Sequence, residues 1–125
     1  MRVLLADNQT KVRSALRLLL EQEPGLSVVG EAAEAESVLA QVETTQPDLV
    51  LLDWGLLDQG AATLTELRAA RPGLMVIVLS GRPEARRAAL TAGADAFVSK
   101  GDPPERLLAA VDNCWCRQHR VENEE

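Results

Sequence analysis

Four apolar runs, each closing on a polar residue, constrain this chain more than any other feature. Val3-Leu4-Leu5-Ala6 leads into Asp7-Asn8, and Leu49-Val50-Leu51-Leu52 into Asp53. Leu74-Met75-Val76-Ile77-Val78-Leu79 leads into Ser80, and Ala96-Phe97-Val98-Ser99 into Lys100. Strands buried on both faces read as continuous apolar stretches, and such strands belong to parallel sheets covered by helices. In open sheets of this kind the ligand crevice lies beyond the carboxyl ends of the strands. The polar groups closing these runs are therefore expected to meet at one edge.

Between the runs the apolar spacing changes to a helical period. Strand-like segments at about 2–6, 26–30, 48–52, 74–79 and 95–98 alternate with five helices, the pattern of a doubly wound α/β sheet. The first helix carries Val12, Leu16, Leu19 and Leu20 and stops at Pro24-Gly25. The second shows Val38, Leu39 and Val42, and the third Leu64 and Leu67 before Pro72-Gly73. The fourth, Pro83 to Ala92, is Ala-rich with Arg86-Arg87 facing water, so it should pack less firmly. The fifth opens at Pro103-Pro104, where a missing N–H costs nothing, and bears Leu107, Leu108, Val111, Cys114 and Trp115. The expected division is a body of residues 1–116 and a polar C-terminal tail, 117–125.

Composition narrows the function classes. The 125 residues suit one domain, and with 46% apolar but only 2% aromatic residues the core must be aliphatic. A net charge of −6 argues against a bare nucleic-acid or anionic-membrane binder, which would need a basic face. No stretch approaches a membrane span, and the chain enters a strand without a signal-peptide pattern, so a cytoplasmic location is expected. Cys114 and Cys116 point about 200° apart on a helix and cannot easily pair. His119 falls in the polar tail and reads as solvated.

Taken singly, the strand-end residues have plain readings: Asp7 and Asn8 as helix caps, Asp53 as a turn residue, Ser80-Gly81 as a cap, Lys100 as a solvated charge. Taken together, in chain order, the set Asp7-Asn8, Asp53, Ser80 and Lys100 resembles the response-regulator receiver domains of two-component signalling. Gly93-Ala94-Asp95-Ala96-Phe97-Val98-Ser99-Lys100 resembles the family's passage from the fourth helix through the fifth strand. The resemblance covers residues 2 to about 115. It implies a (βα)5 flavodoxin-like three-layer sandwich with a parallel five-stranded sheet in the order 2-1-3-4-5.

The resemblance also implies a chemistry. Asp53 would be the phosphoacceptor, Ser80 the switch hydroxyl and Lys100 the lysine that pairs with the phosphoryl oxygens. Mg²⁺ would be held by Asp7, Asn8, Asp53 and the backbone carbonyl of Gly55. A carboxylate can attack phosphorus, but clustered anions and a phosphoryl group repel one another unless a cation bridges them. Mg²⁺ is commonly held by one or two carboxylates together with phosphate oxygens. The implied partner is a sensor histidine kinase or phosphotransfer protein, with a second copy of the chain as a further partner. No direct nucleic-acid or membrane contact is expected. The domain would signal by conformational change, assisting its own phosphoryl transfer and dephosphorylation, and would not be an enzyme on a separate substrate. Phe97 is read as core before switch.

Several residues depart from the family pattern. Asn8 stands where a second acid usually ligates the metal, so Mg²⁺ binding should be weaker. Trp54-Gly55-Leu56-Leu57-Asp58-Gln59-Gly60 lacks the usual proline, with Leu57 in its place, and is one residue short. Gly81 follows the hydroxyl where alanine is usual. Gly101-Asp102-Pro103-Pro104 follows Lys100 as in receivers that precede helix-turn-helix domains. The competing expectation is a degenerate receiver that acts as a phosphorylation-independent interaction or dimerisation module. A small-molecule site on the same fold is disfavoured because no glycine-rich phosphate loop follows the first strand.

Overall fold

The computed structural model describes residues 1–123, with side chains through Gln118. Five strands, β1 (Arg2–Ala6), β2 (Ser27–Ala32), β3 (Leu49–Asp53), β4 (Met75–Ser80) and β5 (Ala96–Ser99), form one parallel sheet in the order β2-β1-β3-β4-β5. The helices are α1 (Thr10–Glu21), α2 (Ala35–Thr45), α3 (Gly60–Ala70), α4 (Arg86–Thr91) and α5 (Pro104–Asn123). This is the doubly wound architecture and strand order expected.

Alternation along the strands splits the core in two, because successive side chains leave opposite faces of a sheet. Leu4, Ala6, Val50, Leu52, Val76 and Val78 pack with Val38, Val42, Leu64, Leu67 and Ala89 from α2, α3 and α4. Val3, Leu5, Leu49, Leu51, Ile77 and Leu79 pack with Leu20, Leu107, Val111 and Cys114 from α1 and α5. Full burial of each Val or Leu stabilises the fold by about 1.5–3 kcal/mol. Phe97 belongs to the first cluster, as a core residue. Cys114 is buried and its neighbour Cys116 exposed, both free thiols.

Three elements differ from the sequence reading. β2 runs to Ala32 because Glu31 and Ala32 go on pairing with Leu5 and Ala6, so a charged residue lies inside a strand. The fourth helix divides into a 3-10 turn at Pro83–Ala85 and the short α4, which buries only Ala89. Arg86 and Arg87 are exposed, as expected for a loosely packed element. α5 passes residue 116 without a break, and Gln118 Nε2 donates to the Asp48 and Gly73 carbonyls. The side chain of His119 lies outside the described residues. Among the described residues, no helix is long and apolar enough to cross a membrane.

Candidate functional site

The sheet order reverses direction between β1 and β3, the place where open α/β sheets form their crevice. Ala6 pairs with Leu52, so the next residues, Asp7 and Asp53, emerge side by side. Asp53 pairs in turn with Leu79, and Ser80 with Ser99, which sets Ser80 and Lys100 on the same edge. The Lys100 N–H donates to the Ser80 carbonyl at 2.8 Å. Register alone thus gathers two carboxylates, a hydroxyl and an ammonium from the ends of four strands.

Asp7 is 1% exposed, and Asp53 and Ser80 are each 7% exposed. Lys100 Nζ lies 2.8 Å from Asp7 Oδ2 and 3.4 Å from Asp53 Oδ1. Asp7 Oδ2 has no hydrogen-bond partner, so its contact with the ammonium is one of charge without hydrogen-bond alignment. Its other oxygen, Oδ1, accepts from the Gln9 N–H at 2.9 Å. Asp53 Oδ1 accepts from the Gly55 N–H at 3.1 Å, which fixes the 3-10 turn Trp54–Leu56. The Ser80 hydroxyl accepts from the Arg82 N–H at 3.0 Å. Asp53 therefore does shape its turn, as its plain reading has it; Ser80 ties the turn at Arg82 and caps no helix, since Arg82 holds the cap of the 3-10 turn, and Lys100 is paired where its plain reading has it solvated.

The helix-cap reading of Asp7 and Asn8 is corrected. Gln9 occupies the cap of α1 and offers it no side-chain hydrogen bond. Instead the turn is tied from within and from behind. Arg13 donates from Nη1 to the Asp7 carbonyl at 2.6 Å and from Nε to Glu31 Oε1 at 2.9 Å. Arg13 is not legible as part of this site, because its partners, the Asp7 carbonyl and Glu31, are a backbone atom and a residue of another element. The visible clue was the ladder Arg13, Arg17, Glu21, whose members face one way at a spacing of four.

The donor set suits a hard cation modestly. Two buried carboxylates and one ammonium leave the cluster with one negative charge in excess. An unsatisfied buried oxygen, Asp7 Oδ2, is a ready ligand, and hard cations favour oxygen. Asn8 and Gly55 are exposed beside it and can add only neutral oxygens. Among the described residues, no group of three acidic, histidine or cysteine side chains is assembled for a metal. The two carboxylates and the neutral oxygens beside them therefore fit a hard cation such as Mg²⁺.

The loop after Asp53 closes over Gly60. A Cβ on Gly60 would stand 2.1 Å from Trp54 Cη2, so the indole occupies the space where a side chain would be. Trp54 packs against the first core cluster with Leu56 and Leu57. An aromatic ring thus sits on the start of α3.

Comparison with known proteins follows the same lines. The Response regulator receiver domain family matches residues 3–112. The nitrate/nitrite response regulator protein NarL of Escherichia coli (strain K12) is 34% identical over 112 residues, covering 87% of this chain and 52% of that protein. The chain thus spans about half the length of the curated relatives it matches. The receiver domain protein (CheY-like) from Methanospirillum hungatei JF-1 superposes with a TM-score of 0.82 at 31% identity, covering 96% of this chain and 97% of that one. A LuxR family DNA-binding response regulator from Silicibacter pomeroyi gives a TM-score of 0.76 at 34% identity, covering 91% and 90%. These relatives agree with the helix-turn-helix-output branch expected from the residues after Lys100. The chain belongs to the response regulator receiver domain family and is the receiver domain of a two-component response regulator.

Proposed function

We propose that this receiver takes a phosphoryl group onto Asp53 from a phosphohistidine on a sensor kinase or phosphotransfer protein. The observation that carries the reading is the Lys100 ammonium set between the buried Asp7 and Asp53 carboxylates at the sheet's switch point. A carboxylate oxygen of Asp53 attacks phosphorus, the phosphorus–nitrogen bond of the donor breaks, and the aspartate becomes an acyl phosphate. Asp7, Asp53, the Gly55 carbonyl and the Asn8 amide would hold Mg²⁺. When bound, Mg²⁺ supplies the charge that offsets repulsion between the carboxylates and the phosphoryl oxygens.

The chain's own groups then read the new charge. Lys100 is a compact cation on a flexible stem, able to turn from Asp7 to a phosphoryl oxygen. The Ser80 oxygen already accepts from the Arg82 N–H, which leaves its O–H to donate to another phosphoryl oxygen. Both residues end strands that lead to α4 and α5, so the signal is a shift in population of that face. A phosphoryl group moves the equilibrium only by its differential affinity for the two states. The setting proposed is the cytoplasm, with the kinase as the direct partner.

Borohydride trapping tests the site. After incubation with acetyl phosphate and Mg²⁺, reduction of an acyl phosphate converts the aspartate to homoserine, which peptide mass mapping locates. Homoserine at position 53 is the expected result. Homoserine elsewhere, with Asp53 intact, would refute the assignment.

A further inference from the structure

We propose that Arg13 is the positioning residue of the acidic turn, holding the Asp7–Asn8 peptide in place so that a neutral amide can serve in the metal set. The inference rests on the phosphoacceptor reading for its use of Mg²⁺, and on geometry for the clamp itself.

Three observations carry it. First, the turn between β1 and α1 lacks its ordinary fastening: Gln9 at the cap gives no side-chain hydrogen bond, and the first turn of α1 holds no acidic residue. An uncapped helix start leaves backbone N–H groups unsatisfied and the entering chain less fixed. Second, Arg13 satisfies none of those N–H groups but fixes the entering chain by the Asp7 carbonyl. Its side chain is only 14% exposed, and its planar fork spans the Asp7 carbonyl, Glu31 Oε1 and, at 3.4 Å, Thr10 Oγ1. Third, the far end of the clamp is itself anchored. Glu31 lies within β2, paired with Leu5, and its second oxygen accepts from Arg17 Nε at 2.9 Å. Arg17 in turn reaches Glu21 at 2.9 Å.

The Asp7 carbonyl belongs to the peptide that links Asp7 to Asn8. Fixing that oxygen fixes the peptide plane, and with it the origin of the Asn8 side chain. The Asp7 N–H is already bound to the Ala32 carbonyl at 3.0 Å and Asp7 Oδ1 to the Gln9 N–H, so the clamp completes the restraint of this residue. A site with one carboxylate fewer depends more on placement, because a neutral oxygen attracts a cation only when correctly oriented. Groups that orient metal ligands commonly matter by about 10- to 100-fold in affinity. Arg13 acts through the backbone and touches no ligand atom, so it is a positioning residue and not a catalytic one.

The test compares Arg13→Gln and Arg13→Lys with the unaltered protein, in two measurements. Mg²⁺ is titrated against Trp54 fluorescence, with Trp115 as constant background, and exchange of the hydrogen-bonded Asp7 and Gln9 amides is followed without metal. Lysine keeps the charge but cannot span carbonyl and carboxylate as a planar fork does. Both variants should therefore bind Mg²⁺ roughly tenfold more weakly and exchange faster at Asp7 and Gln9. Full affinity in Arg13→Lys with weakened Arg13→Gln would mean that charge alone matters, and would overturn the clamp. Unchanged exchange in both variants would overturn it as well. If the unaltered protein binds no Mg²⁺, the metal-dependent reading fails, and exchange at Asp7 and Gln9 alone still decides the clamp.

Discussion

Lys100 and Asp7 form the tightest charge contact of the site: Nζ stands 2.8 Å from an Asp7 Oδ2 that is otherwise without a hydrogen-bond partner. The lysine therefore takes the place next to the carboxylates that a metal would also seek. At an effective dielectric of about 20, opposite charges at such separations attract by a few kcal/mol. Mg²⁺ must compete with, or displace, this ammonium.

Replacing the lysine exposes the competition. Lys100→Met leaves Asp7 buried beside Asp53 without a counter-charge, which should cost about 2 kcal/mol of stability. Millimolar Mg²⁺ should restore most of it, since a cation that binds only the folded state stabilises that state. Urea unfolding with and without Mg²⁺ measures both effects. Equal loss in both conditions would show that the metal does not use the vacated carboxylates.

Asn8→Asp restores the missing unit of charge. A net gain of roughly 1–3 kcal/mol for the metal follows once dehydration offsets most of the attraction. Mg²⁺ should then bind about 10- to 100-fold more tightly in a Trp54 fluorescence titration. Identical affinity would place the Asn8 side chain outside the metal set.

The loop after Asp53 makes its own prediction. Gly60→Ala drives a methyl group into the Trp54 indole, 2.1 Å from Cη2. The ring must move, at a cost of about 1–3 kcal/mol by the usual measure of overpacking. Thermal unfolding should record the loss and the Trp54 emission maximum should shift. An unchanged spectrum would mean that the ring does not rest on Gly60.

Acid should loosen the clamp behind the site. The Arg17 guanidinium, and after it Arg13, hold the Glu31 carboxyl below its ordinary value of 4.5 against the opposing effect of burial. A depressed carboxyl gives stability that is present above its unfolded pKa and is lost as pH falls through the folded one. The loss therefore belongs below about pH 4.5. Glu31 is 32% exposed by side chain, so the contribution stays within about 1 kcal/mol. Glu31→Gln should remove this part of the acid limb of a stability profile. A profile identical to that of the unaltered protein would leave the pair without energetic weight.

Much of this was legible in the residues themselves. The unbroken apolar runs Val3 to Ala6, Leu49 to Leu52 and Leu74 to Leu79 point to a parallel sheet, and strand order follows from the family resemblance. Asp7, Asp53, Ser80 and Lys100 were found because each closes such a run. The end of β2 was missed because Glu31 carries a charge, and its salt bridges to Arg13 and Arg17 have no local sequence signal. α4 is shorter than its sequence suggests, because an Ala-rich stretch after proline satisfies helical spacing without burying a face. Contacts across elements, such as Arg13 to the Asp7 carbonyl, emerge only from the fold.

The central claim is that Asp53 accepts a phosphoryl group despite the charge lost at Asn8. Intact mass measured across a series of Mg²⁺ concentrations with acetyl phosphate tests it most directly. A single phosphoryl adduct that rises with Mg²⁺ and is absent from Asp53→Asn is the predicted result. No adduct at any Mg²⁺ concentration, or an adduct that survives Asp53→Asn, would contradict it and favour a phosphorylation-independent interaction module.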